Sequence, residues 1–114
     1  MRPLDVLREE WRVKASEWAE AHDLAERYDE GRKILLDKLT LALMEGEAGL
    51  SVARAEREAR TSAQFTTYVR NMYDAKRKAQ DARIAMQLAD RIYYEQVGAE
   101  AQSRAEMRMT GAER

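Results

Sequence analysis

From Leu4 to Leu43 apolar side chains return in heptads on two lines, Leu4, Trp11, Trp18, Ala25 and Leu39 on one and Leu7, Ala21, Tyr28, Leu35 and Ala42 on the other. Only Lys14 and Arg32 interrupt the pattern. A seam held for more than five heptads keeps one stripe of an α-helix facing a partner throughout, so the segment reads as a coiled-coil helix and not a compact globular one. The break comes at Glu45 to Ser51, where Gly46 and Gly49 supply permissive backbone and Ser51 can cap a following helix. A second helix follows, with Phe65, Met72, Ala79, Met86 and Tyr93 alternating with Tyr68, Ala75, Ala82 and Ala89, and Thr110-Gly111 as its stop. The expected fold is therefore all-α. It is a long antiparallel helical hairpin in one domain, residues 1–114, with a helix at about 3–45, a turn at about 46–51 and a helix at about 52–109.

Folding the chain about this turn places Tyr28 opposite Tyr68 or Val69, Trp18 opposite Ala79 and Trp11 opposite Met86, so that large side chains face small or flexible ones. The same register puts Glu20 near Lys76 and Glu17 near Lys78 or Ala79. Two helices cannot bury all sides of each other, and apolar residues are left over. Ile84, Leu88 and Ile92 lie one turn apart off the main seam, Val6 and Val13 come to the same end, and Val97 and the methionines after it have no counterpart in the first helix. These residues predict a contact with another protomer, and hence a homo-oligomer.

Composition closes off chemistry. With no Cys there is neither a disulfide nor a thiolate site, and with a single His a zinc centre lacks ligands. His22 lies beside Glu20, Asp23 and Glu26, which reads as a solvated helix surface. Glu9-Glu10 and Asp29-Glu30 are adjacent on a helix and point in different directions, and no phosphate loop or nucleophile motif accompanies them. The protein is expected to be no enzyme and to carry no metal or cofactor. No run of about 18 apolar residues exists to span a bilayer, and Met1 to Asp5 lacks the apolar core of a signal peptide, so a cytoplasmic protein without membrane attachment is expected.

The formal net charge of -1 conceals an asymmetry, because residues 1–50 carry 8 basic and 12 acidic side chains whereas residues 51–114 carry 12 and 9. Within the basic half, Arg70, Tyr73, Arg77 and Arg91 turn outward from the seam, flanked by Lys76 and Lys78. Cations that neutralise phosphates beside an aromatic ring free to stack on a base are the equipment of sequence-indifferent single-strand binders. The same pattern also describes a solvated basic face, or one paired with an acidic neighbouring helix.

The run Ser51 to Arg60 (SVARAEREAR) and the closing run Ala99 to Met109 (AEAQSRAEMRM) resemble small helical-hairpin proteins of the replication and recombination modules of tailed phages. Some of those proteins are recombination mediators, which load a recombinase or annealing protein onto single-stranded DNA. The resemblance covers about residues 50–110 and implies an oligomeric, non-catalytic accessory of DNA transactions, working in the host-cell cytoplasm with single-stranded DNA and a recombinase or annealing protein as partners. No functional residue is carried over from it. The other reading of the same chain is a structural or adaptor coiled coil, such as a phage assembly or scaffolding factor, that binds only protein.

Overall fold

The computed structural model describes residues 2–46 and 50–112. The chain is all-α, a helical hairpin of the coiled-coil kind, with α1 at Leu4–Gly46, α2 at Val52–Thr61 and α3 at Ala63–Ala112. Its contacts divide it into two compact units, residues 20–80 and residues 1–19 with 81–114. Part of the expected turn, Glu47 to Gly49, lies outside the described residues.

In the unit formed by residues 20–80, Ala25, Ala75 and Ala79 make a buried cluster against which Ala21 and Tyr28 pack. Numbers rise on one helix as they fall on the other, which is antiparallel pairing, and alanine at the contact lets the two backbones approach closely. Met72 is fully buried, and Phe65, Ala55 and Ala59 are buried with it. Tyr28 and Tyr68 meet edge to face with ring centroids 5.2 Å apart, as the register required. The Tyr68 hydroxyl donates to the Tyr28 carbonyl at 2.8 Å. Gly31 makes this possible, because a methyl at that position would overlap the Tyr68 hydroxyl oxygen. One ion pair departs from the expected register: Lys76 reaches Asp29 at 2.8 Å instead of Glu20.

The second helix is not continuous. Ser62 adopts extended backbone (φ -65°, ψ 149°), ending α2 and starting α3. Its hydroxyl donates to the Ala59 carbonyl at 2.7 Å and accepts from the Phe65 N–H at 3.2 Å, so one side chain serves both helix ends. The break resets the phase of the seam. Counting back in heptads from Phe65 and Tyr68 would bring Glu58, Thr61 and Arg54 inward; after the reset the fully buried positions are Ala55 and Ala59. Ser51 caps α2 as expected, accepting from the Arg54 N–H at 3.2 Å.

In the other unit, Leu7 is buried, and Leu4, Ala15, Trp18, Ala82, Met86, Ala89 and Tyr93 are half-buried. Arg8 donates to the Tyr93 hydroxyl at 3.1 Å, which sets these two residues at one height across the pair. Trp11 borders a hollow with Asp90, Tyr93 and Tyr94, one turn further along α3 than the expected Met86. The offset is confined to this unit, since Tyr28 and Tyr68 in the other keep the expected register. The expected stop at Thr110-Gly111 is also corrected, since α3 continues to Ala112 and the Thr110 hydroxyl donates back to the Glu106 carbonyl at 2.9 Å, as an interior helical threonine does. Every residue from Ala101 to Gly111 is exposed.

Candidate functional site

The basic face belongs to the unit of residues 20–80. Arg70, Tyr73 and Arg77, at helical spacings of three and four, are all exposed, with 58% of the tyrosine accessible. The seam dictates this: Phe65, Tyr68, Met72 and Ala75 take the inward positions, so the residues between them face solvent. The Lys76 ammonium lies 6.0 Å from the centre of the Tyr73 ring while bonded to Asp29. That bond holds the Asp29 carboxyl below its ordinary pKa. Arg77 pairs with Asp74 at 3.3 Å, an exposed contact of little energetic worth. Arg70 and Lys78 are exposed and make no ion pair among the described residues. The face thus has two uncommitted cations, two loosely committed ones and an unpacked aromatic ring. Arg91, assigned to the same face from the sequence, lies in the other unit and is exposed there.

The apolar residues expected at a protomer contact lie in that other unit. Val6 (41%), Val13 (46%), Ile84 and Leu88 (both 54%) are accessible, while Ile92 and Val97 are half-buried. Val6 and Val13 on α1 and Leu88 and Ile92 on α3 wall a groove of about 590 Å³ floored by Ala85 and Ala89. Glu9, Glu10 and Lys14 rim it. On Trp11's side, the Arg8 guanidinium lies 5.8 Å from the Tyr93 ring centre, and its bond to the hydroxyl raises the Arg8 pKa above its ordinary value. The sequence reading missed this Arg8–Tyr93 contact, which pairs a cation on one helix with a seam tyrosine on the other. It also missed Gly31, whose place near the middle of a heptad helix was the available signal.

His22 lies 3.9 Å from Glu26 on the surface of α1, and no group of three or more potential metal ligands converges among the described residues. No helix among them is long and apolar enough to cross a membrane. No protein-family model matches the chain, and no curated protein or solved structure is significantly similar to it.

Proposed function

We propose that the protein is a non-catalytic accessory of single-stranded DNA, of the recombination-mediator kind, that binds the strand through Arg70, Tyr73 and Arg77 with Lys76 and Lys78 at the edge. The observation that carries this reading is the exposed Tyr73 ring standing between Arg70 and Arg77, with the Lys76 ammonium 6.0 Å from its centre. Guanidinium groups one turn to either side can take successive phosphates while the ring stacks on the base between them. Neither the phosphate contacts nor the stacking reads a base sequence, so the binding is indifferent to sequence and weakens with salt. The adaptor reading, in which the only ligands are helices of other proteins, is favoured by a different observation, the open apolar groove between Val6, Val13, Leu88 and Ile92.

Fluorescence anisotropy of labelled oligo-dT separates the two. Wild type is expected to bind with affinity that falls with salt at a log-log slope of about -0.7 per phosphate neutralised. Arg70→Ala/Arg77→Ala flattens the slope, and Tyr73→Ala costs about 1 to 3 kcal/mol with the slope unchanged. Each variant is first shown by circular dichroism to keep its helices. No binding at low salt, or equal binding by all three proteins, leaves the adaptor reading in place.

A further inference from the structure

The groove between α1 and α3 in the unit of residues 1–19 and 81–114 is wider than a two-helix seam needs. Val6 and Val13 lie one heptad apart on α1, and Leu88 and Ile92 one turn apart on α3, beside the seam positions Leu7, Ala89 and Tyr93. This widens the apolar face of each helix to about three positions in seven, the width characteristic of a helix in a bundle and not of one in an isolated pair. The partner that completes such a face is another pair of helices.

The charges around the groove indicate which pair. Its α1 rim carries Glu9 and Glu10 together with Lys14, whose ammonium is bonded to Glu17 at 3.5 Å, so the rim is acidic on balance, while the outward side of α3 carries Arg91, exposed and without an ion pair among the described residues. The Arg8–Tyr93 bond, and Trp11 beside Asp90, set the two rims at one height, so that Glu9 and Glu10 are level with Arg91. A two-fold axis parallel to the helices lays the α1 of each copy against the α3 of the other without changing height. Glu9 and Glu10 then face Arg91 of the second copy, while Val6 and Val13 pack on its Ile92 and Leu88, and both contacts occur twice. Glu9 also meets Arg12 at 2.9 Å and Glu10 meets Arg2, but these pairs are exposed and exchange at little cost.

We infer that this groove is closed by a second copy of the chain, giving a four-helix dimer in which Glu9 and Glu10 of each copy pair with Arg91 of the other. The contact needs no nucleic acid and would stand if the proposed DNA-binding role failed.

Sedimentation equilibrium at micromolar concentration, with helix content checked by circular dichroism, tests it through charge exchange. Wild type is expected to be a dimer. Arg91→Glu alone sets glutamate against glutamate, and Glu9→Arg/Glu10→Arg alone sets arginine against arginine, so each weakens its own dimer by about tenfold or more. Mixed in equal amounts, the two variants restore opposite charges at both contacts and form a heterodimer about as tight as wild type. Leu88→Ala, which leaves the charges intact and removes apolar surface from the groove, weakens the wild-type dimer. A monomeric wild type would assign the groove to a helix of another protein and overturn the inference. So would charge variants that dimerise as wild type does, or a mixture no tighter than its components.

Discussion

Replacing Gly31 by alanine ought to stabilise an ordinary helix, and here it is expected to do the opposite. Glycine in a helix interior costs about 1 kcal/mol relative to alanine, so the substitution starts with that gain. Against it stands the Tyr68 hydroxyl, which occupies the space the new methyl would fill while donating to the Tyr28 carbonyl at 2.8 Å. The ring cannot retreat freely, because it is half-buried and packed edge to face on Tyr28. Loss of the hydrogen bond costs about 1 kcal/mol and overpacking about 1 to 3 kcal/mol more, so Gly31→Ala should destabilise by about 2 kcal/mol in net. Tyr68→Phe alone should cost about 1 kcal/mol. In that background the methyl meets only the ring carbon Cζ, 3.6 Å away, which is ordinary contact, and Gly31→Ala should now stabilise by about 1 kcal/mol. The sign therefore reverses, with a coupling of about 3 kcal/mol between the two positions. Urea unfolding followed by far-ultraviolet circular dichroism on the four proteins of the cycle measures it. If alanine at 31 stabilises both backgrounds equally, the close approach of Tyr68 to α1 does not exist.

Ser62→Ala removes the acceptor of the Phe65 N–H together with the donor to the Ala59 carbonyl, and should lower stability by about 1 kcal/mol in the same assay. Ser62→Thr, which keeps the hydroxyl, should recover most of that loss. The Tyr68 hydroxyl has its pKa raised, first by burial and then by the charges of Tyr28 and Asp29. The unfolded chain therefore ionises this tyrosine first, and its contribution is complete below pH about 10 and lost as pH rises through the folded value. Spectrophotometric titration should show a late tyrosine ionisation that is absent in Tyr68→Phe. A titration unchanged by Tyr68→Phe at its late end would contradict the half-buried placement of this hydroxyl.

The seams of the helices were legible because burial in a coiled coil depends on periodicity alone. All nine positions assigned to the second seam, from Phe65 to Tyr93, are buried or half-buried, and in the first helix only Trp11 and Ala42 are more exposed than their lines required. Lys14, which interrupts that seam, is half-buried, with its ammonium carried out to Glu17. The break at Ser62 was not legible, because periodicity over Val52 to Thr61 is too short to reveal a phase change; its signal is Ala55 and Ala59 at helical spacing but out of step with Phe65.

The outer faces obey a weaker rule, and this is why the candidate sites could be placed but not assigned from sequence. A charge on a solvated helix costs little wherever it stands, so sequence alone cannot separate Lys76, whose ammonium is bonded to Asp29 across the hairpin, from Arg70, which makes no ion pair among the described residues. Apolar residues outside the seam are different, because each one left in water forgoes about 25 cal/mol for every Å² it could have buried. Val13 and Leu88, at opposite walls of one groove, forgo it together, whereas Leu24, Ile34 and Leu41 are exposed singly along α1. Convergence on a shared concavity, with carboxylates on one rim and an arginine at the same height on the other helix, distinguishes an interface from scattered exposure. That convergence requires the register of the pairing, which the Arg8–Tyr93 bond sets in this unit.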